Sequence, residues 1–480
     1  MSSETLKSEI VPRRTKFIYG LGDWGTSAAT AIRNLYWLFF LVSVVGLRPE
    51  IVGFVILIGR VWDSINDPLI GMLSDRMQTR WGRRRPFLLY GAVPFGISFI
   101  LLFLIPPIES EFWLAVYYGL VYLLFDTMFT VINVPYAALT PELTEDYDER
   151  SSLAGWRIAT AILASLVASA TFKLIAEEFF GGWLNQFLNL SSALQTGYAI
   201  TAALAGITFI IPPLILFLAI REPKVVAVDR SPIRPIKTFK EVYSNRPFRI
   251  AAVVYLLSFT TADVVVSVLL WFLIFYVRVD RGYDSLVLAI VLGIGFLSMP
   301  LTVKLMRRFG KRNTYIASMS SYAIVLLIIS QAPPGGQLFI IIAAIFAGFG
   351  YGAISVIPWA IVADVVEEDE LKTGKRREGV YSGYLVFFRK LATALTLFAV
   401  TRILAETGFR GGTTGGQVYI EQPESALLAL KLLVGVIPAL MLLLSIIIIW
   451  QYPIDKATHD ALRRELAKRR VRADGESDYS

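Results

Sequence analysis

The sequence predicts an all-α integral membrane protein with twelve transmembrane helices in two pseudo-symmetric six-helix bundles. Three observations carry this reading. The chain is 55% hydrophobic, with a mean hydropathy of +0.59, whereas soluble domains are about 45–50% apolar. Apolar runs of roughly 20 residues or more recur along it, each long enough to cross a hydrocarbon core of about 30 Å. These runs fall six and six on either side of a polar, basic, proline-bearing segment at 221–246.

The spans are placed at 17–45, 50–74, 87–106, 112–141, 152–178, 195–220, 247–279, 284–306, 313–331, 336–365, 379–405 and 424–452. Lipid cannot satisfy backbone groups, so spans are helices or a closed barrel. Runs this long, without the alternation of barrel strands, choose helices. Ten Trp and 21 Tyr suit aromatic belts at the two interfaces. The expected organisation is an N-terminal bundle at 1–220, a central loop at 221–246, a C-terminal bundle at 247–452 and a tail at 453–480. The first 16 residues are polar, so the first span itself is expected to start insertion.

The net charge of +8 is concentrated in particular loops. One side holds Arg13, Arg14 and Lys16, then Arg76, Arg80, Arg83, Arg84 and Arg85. Arg307, Arg308, Lys311 and Arg312 follow, then Lys372, Lys375, Arg376, Arg377 and the basic tail. The other side has scattered cations such as Arg48, Arg278, Arg281 and Arg410. The positive-inside rule then puts both termini in the cytoplasm of a multi-pass inner-membrane protein. Clustering of this kind is a topology signal, so membrane lipids are the expected contact and nucleic acid is not. The stretch "IKTFKEVYSNRPF" suits a helix on the membrane surface. The "HDALRRELAKRR" tail suits an exposed basic helix near the inner leaflet.

The halves echo one another. "NVPYAALTPEL" from Asn133 resembles "VIPWAIVADVV" from Val356, and "RWGRRR" after the second span is answered by "RFGKRN" after the eighth. Parallel six-span repeats are one transporter architecture. Enzyme chemistry has little material here. There is no cysteine, and the single histidine, His459, lies in the polar tail. No cofactor is expected.

The chemistry sits in the second span, within "GRVWDSINDPLIGMLSDRMQTRWGRRRPF". At about 100° per residue, Arg60, Asp63 and Asp67 share one helical face, with Asn66 at its edge. An unpaired ion at the bilayer centre costs at least about 2.5–3.5 kcal/mol. One explanation is an Arg60–Asp63 pair that locks two helices, which leaves Asp67 unexplained. The other is a coupling site, since carboxylates with an amide suit a small cation such as Na+ or a carried proton. In the fourth span Asp126, Thr130 and Asn133 also stack on one face, spaced four and three apart. They serve either as further oxygen ligands or as ordinary interhelical hydrogen bonds.

Other charges in apolar surroundings are Asp23, Arg33, Arg157, Asp263, Arg389 and Lys390. Their spread over both halves suits a polar cavity. Lys390 is a candidate to balance Asp63 or Asp67, and Arg157 with Asp23 to hold a polar or anionic solute. Lys173 and Arg402 lie nearer span ends and are expected to snorkel to the interface. In the loop after the second span, Asp75 is read as a gate with Arg83 and Arg84 as partners. The arginines in bulk read as topological anchors.

These motifs also carry a resemblance. "G-x-x-x-D-R" followed by "R-x-G-R-R" looks like the major facilitator superfamily loop signature. "RVWDSINDPLIGMLSD" with "FIYGLGDWG", "VPYAALTPEL" and "VADVVEEDELKTGKRREGVYSGY" resembles the glycoside–pentoside–hexuronide:cation symporter family, and the likeness covers nearly the whole chain. The resemblance implies a twelve-helix major facilitator fold and symport of a sugar or glycoside with Na+, H+ or Li+ by alternating access. It implies cation-site roles for Asp63, Asn66, Asp67 and Thr130. It implies a functional lysine at Lys390 and a sugar-site arginine at Arg157. In the melibiose-carrier branch an aspartate stands where this chain has Ser27, and another where it has Asn133. The first departure bears on galactoside binding and the second on sodium coupling. Asp23, one turn before Ser27, is placed to take over part of the solute contact. Animal lysolipid carriers are also similar to this family, so an amphiphile is the alternative solute. A monomer is expected.

Overall fold

A computed structural model describes residues 11–77, 79–144, 146–188, 193–220, 242–280, 282–373, 378–411, 421–453 and 458. Among them are twelve long helical rods, α1 to α12. α1 runs through 13–44, α2 is Pro49–Arg76, α3 is Arg85–Leu102, α4 is Glu111–Leu143, α5 runs through 147–188 and α6 is Ala193–Ala219. α7 runs through 246–277, α8 is Tyr283–Phe309, α9 is Lys311–Ile329, α10 is Gln337–Thr373, α11 is Glu378–Glu406 and α12 runs through 424–449. No strand occurs among the described residues; one isolated antiparallel bridge joins Thr79 and Gly82.

Ten rods are long and apolar enough to cross a membrane by length and composition alone. The remaining two, α1 and α2, carry Asp23, Arg33, Arg60, Asp63 and Asp67. The rods follow the predicted spans closely, with two extensions, the first being α5, which runs to 188, ten residues past its predicted end. α10 continues through the acidic stretch to Thr373, about two turns past its predicted end. Of the surface helix expected at 236–248, residues 236–241 lie outside the described residues, and Arg246, Pro247 and Phe248 already open α7. The basic tail, with His459, also lies outside them.

The chain divides into two compact units. Unit 1 holds residues 1–229, 281–289 and 401–423. Its core is aromatic, with Phe99 packed edge-on against Phe209 at 4.8 Å and Phe103 against Phe172 at 4.9 Å. α5 starts where the Asp146 carboxylate accepts the Glu149 backbone N–H at 2.9 Å, the preferred cap for an orphan helical donor. Unit 2 holds residues 230–280, 290–400 and 424–480. There the Tyr315 hydroxyl meets Ser258 Oγ and Ser445 Oγ, both at 2.7 Å, and so ties α9 to α7 and α12. The Lys311 ammonium pairs with Asp364 and donates to the Ala360 carbonyl at 2.9 Å, fastening α9 to α10.

The internal repeat reaches the backbone. In "RWGRRR" Gly82 has φ +104°, and in "RFGKRN" Gly310 has φ +83°. Both chains turn in the left-handed region, where a Cβ is disfavoured. Each glycine therefore lets a basic loop fold back into the next helix of its unit.

Near the start of the described chain, the Glu149 carboxylate accepts from Lys16 Nζ at 2.9 Å and from the Val11 N–H at 2.8 Å. The hydrogen bond from Lys16, then that from Val11, hold Glu149 below its ordinary value of 4.5. A depressed carboxylate stabilises the fold fully above its unfolded pKa and loses that contribution as pH falls through the folded value. The melting temperature of wild-type protein is therefore expected to fall more steeply on acidification below that range than that of Glu149→Gln. Parallel melting curves down the same pH series would contradict this.

Candidate functional site

α2 approaches α4 because of Gly59. A Cβ there would lie 2.0 Å from the Tyr122 ring, so any larger residue must push the two helices apart. With the helices in contact, Trp62 Nε1 donates to Thr127 Oγ1 at 2.9 Å and Thr130 Oγ1 donates to Asp67 Oδ1 at 2.9 Å. Asn66 Nδ2 donates to the Asp126 carbonyl at 3.4 Å. Asp63, Asn66, Asp126 and Thr130 are all buried, and Asp67 is half-buried. The two polar faces read from the sequence thus meet. Asn133 is half-buried and has no side-chain hydrogen bond among the described residues.

Two features at this site were not legible from spacing. Arg33 on α1 forms a buried ion pair with Asp126 at 2.8 Å. Arg60 donates to Asn34 Oδ1 at 3.0 Å and so binds α1. The signal available in the sequence was charge balance: Arg33 and Asp126 are opposite charges in two separate apolar spans, and each needs a partner.

Among the described residues no three His, Cys, Asp or Glu side chains converge as a metal cage. A monovalent cation held here would draw on the Asp63 and Asp67 carboxylates and on neutral oxygens of Asn66 and Thr130. That donor set suits a weakly held, exchangeable ion better than a resident one.

A second cluster joins α1, α4 and α5. Arg157 Nε and Nη2 clasp the Asp23 carboxylate at 2.7 and 3.2 Å, and Nη1 donates to Thr140 Oγ1 at 3.2 Å. The guanidinium lies 4.3 Å from the Tyr136 ring centroid, a cation–π distance. Tyr136 Oη donates to the Tyr19 carbonyl at 2.5 Å and reaches Asp23 Oδ2 at 3.4 Å. Asp23 and Arg157 are therefore each other's partners, and the pair must open for either to grip a solute. Ser27, one turn on, is half-buried, and its carbonyl accepts from Ser165 Oγ at 3.4 Å.

In unit 2 the Asp263 carboxylate accepts from Thr393 Oγ1 at 2.6 Å and from Arg389 Nη2 at 3.3 Å. Lys390 follows Arg389 on α11 and is half-buried. In the basic loop Arg84 is buried and donates to Ser74 Oγ at 2.6 Å, while Arg83 is half-buried. The Asp75 side chain lies outside the described ones. Arg80 stacks on Trp81 at 4.4 Å and Arg85 on Phe217 at 4.8 Å, as interfacial anchors do.

One expectation is overturned. Lys173 does not snorkel. It is 5% exposed, with Nζ 2.7 Å from Glu177 and 2.5 Å from Asp284. The π-helical stretch Ile175–Gly181 follows it directly. Glu177, four residues on, reaches Lys173 from that stretch, and the first turn of α8 brings Asp284. Two carboxylates hold the ammonium inside, which snorkelling alone would not do. Arg402, by contrast, is 46% exposed and pairs with Glu406 at 2.6 Å.

Twelve helical rods among the described residues, a repeated glycine-turned basic loop and buried carboxylates in apolar surroundings are the architecture of a secondary transporter of the major facilitator fold. Residues 18–456 match the MFS/sugar transport protein family, to which the chain belongs. It is 30% identical to the uncharacterized symporter sll1374 of Synechocystis sp., over 97% of this chain and 99% of that one. It is 27% identical to the putative glycoside/cation symporter YagG of Escherichia coli, over 97% and 96%. It is 25% identical to the sodium-dependent lysophosphatidylcholine symporter 1-A of Danio rerio, over 94% and 88%. Among solved structures, the nucleoside transporter NupG (D323A mutant) aligns with a TM-score of 0.64, covering 92% of this chain and 99% of that one at 10% identity. The protein is a multi-pass membrane symporter of a small-molecule solute.

Proposed function

We propose that the protein couples entry of Na+ or H+, or Li+ in their place, to uptake of a glycoside or other sugar-like solute. We place it in the inner membrane as a monomer with both termini cytoplasmic. The observation that carries the reading is the buried α2–α4 seam, where Thr130 bonds Asp67 beside Asp63 and Asn66. Cation or proton binding there neutralises carboxylate charge. A ligand shifts a conformational equilibrium only through differential affinity, and covering a buried charge supplies that difference. The solute then crosses by alternating access. Asp23, Ser27 and Arg157 are the proposed solute contacts in the first half and Lys390 in the second; Asn133 is a further cation ligand. Asp75, Arg83 and Arg84 are the proposed gate. The relative named as a glycoside/cation symporter supports the sugar.

A second reading, an amphiphile carrier, is favoured by the relative named as a sodium-dependent lysophosphatidylcholine symporter and by Ser27 at the aspartate position. One experiment separates the two. Purified protein in liposomes is given radiolabelled glycosides or lysolipids under Na+, Li+ or H+ gradients. Glycoside accumulation that collapses with the gradient is expected. Lysolipid accumulation without any glycoside uptake would replace the sugar reading with the amphiphile one.

A further inference from the structure

We propose that Asp263 and Arg389 form a solute subsite in the second half of the chain, and that it takes two adjacent hydroxyl groups such as a pyranose ring carries. The inference rests on the sugar reading proposed above and says which part of the sugar is recognised.

Helical spacing builds the site. Tyr255, Phe259 and Asp263 recur every four residues on α7, and Arg389 and Thr393 are four apart on α11, so each set shares one helical face. The two faces meet. Thr393 Oγ1 donates to Asp263 Oδ2 at 2.6 Å, and Arg389 Nη2 donates to Oδ1 at 3.3 Å. The Arg389 guanidinium lies 3.9 Å from the Phe259 ring centroid. Tyr255 packs on Phe259 at 4.6 Å and edge-on against Trp359 of α10 at 5.0 Å. An aromatic wall therefore continues from the charged pair. Small-molecule sites commonly combine such a wall with a few placed polar groups.

The pair has a counterpart in the first half. Asp23 and Arg157 stand on the first and fifth helices of their half, α1 and α5, and Asp263 and Arg389 on the first and fifth of theirs, α7 and α11. Each guanidinium also lies on an aromatic face, that of Tyr136 at 4.3 Å and that of Phe259 at 3.9 Å. The pairs differ in how completely they are made. Arg157 clasps Asp23 at 2.7 and 3.2 Å and gives its third nitrogen to Thr140. Arg389 gives Asp263 only Nη2, and its Nη1 is buried with no hydrogen-bond partner. A buried donor left unsatisfied is costly, and the two-bond geometry would hold the helices more strongly. A plain staple gains nothing from this arrangement. The Arg389 and Asp263 side chains are also 29% and 20% exposed. Charges in a membrane span face the bundle interior or water rather than lipid, so the pair is open to a polar solute.

The chemistry of the pair selects the ligand. Arg389 and Asp263 offset one another and present a donor beside an acceptor. An acidic group would have to displace Asp263 from Arg389, and an ammonium would have to displace Arg389 from Asp263. A hydroxyl both donates and accepts and needs to displace neither. Two hydroxyls on neighbouring carbons engage both ends, one accepting from Arg389 and the other donating to Asp263.

The test is uptake into liposomes by purified full-length protein. The probes are the methyl pyranosides of glucose, galactose, mannose and xylose, under Na+, Li+ and H+ gradients. The glycoside that wild type accumulates is compared with its singly deoxygenated analogues. Loss of a recognised hydroxyl is expected to raise the half-saturating concentration at least about tenfold, as for a lost hydrogen bond to a charged group. Arg389→Gln is expected to raise that of the parent glycoside at least about tenfold, and then to tell it from one of those analogues by less than about threefold. Thr393→Val removes only the hydroxyl that steadies Asp263 and should raise it at least about threefold. Asp263→Asn/Arg389→Gln removes both charges, which is often tolerated, and gives a reading where Arg389→Gln alone does not fold. Variants that keep the wild-type half-saturation, or that discriminate every analogue as wild type does, would reduce the pair to a structural staple and overturn the proposal while the sugar reading stands. A wild type that accumulates none of the four glycosides would overturn the sugar reading itself, and this inference with it.

Discussion

Asp63→Asn and Asp67→Asn are each expected to abolish gradient-driven accumulation of solute. A hydrogen bond or contact to a charged group is worth about 1.5–3 kcal/mol net. Losing one carboxylate should therefore weaken cation affinity by about 10- to 150-fold. The substitutions preserve size, and in Asp67→Asn the side-chain oxygen still accepts from Thr130, which now donates to Asp67 at 2.9 Å. Charge is thus removed with little change in packing, and the thermal midpoint without added cation should stay near wild type. Uptake in liposomes under Na+, Li+ and H+ gradients is the measurement. Wild-type accumulation in both variants would remove these residues from the coupling site.

Lys173→Met is expected to be among the most destabilising substitutions in the chain. Lys173 lies between Glu177 at 2.7 Å and Asp284 at 2.5 Å, and Tyr198 Oη donates to Glu177 at 2.6 Å. Removing the cation strips its counter-charge from the buried Asp284 and the half-buried Glu177. Breaking a buried pair by deleting one partner costs about 3–5 kcal/mol. The melting temperature of purified protein should drop accordingly. Neutralising the whole group, as Lys173→Met/Glu177→Gln/Asp284→Asn, should recover most of the loss, because no charge is then stranded. A single variant that melts with wild type would mean that Lys173 reaches the interface after all.

The two cases show where sequence reasoning holds and where it stops. The face formed by Arg60, Asp63 and Asp67 was legible because a helix repeats every 3.6 residues, so spacing alone places them together. Thr130 was legible by the same rule on α4. The Arg33–Asp126 pair was not, since its members lie 93 positions apart and periodicity says nothing about which helix is a neighbour. Asp23 and Arg157, 134 positions apart, were both marked as solute contacts; only their packing shows that each already satisfies the other. Lys173 was misplaced for a further reason. Hydropathy locates a residue along a span, and near an end snorkelling is the default. It does not register a π-helical stretch such as Ile175–Gly181.

The sequence by itself determined that this chain crosses a membrane many times, in two related halves, with carboxylates kept inside. That much is local, because lipid penalises every unsatisfied backbone group and every isolated charge wherever it occurs. Gly82 and Gly310 mark the same turn in both halves for an equally local reason, the steric limit on positive φ. The tertiary structure alone decided how the charges are shared. It placed Arg33 on Asp126, Arg157 on Asp23 and Lys173 between Glu177 and Asp284. In a low-dielectric interior a charge is defined by the partner that neutralises it, and that partner is chosen by helix packing.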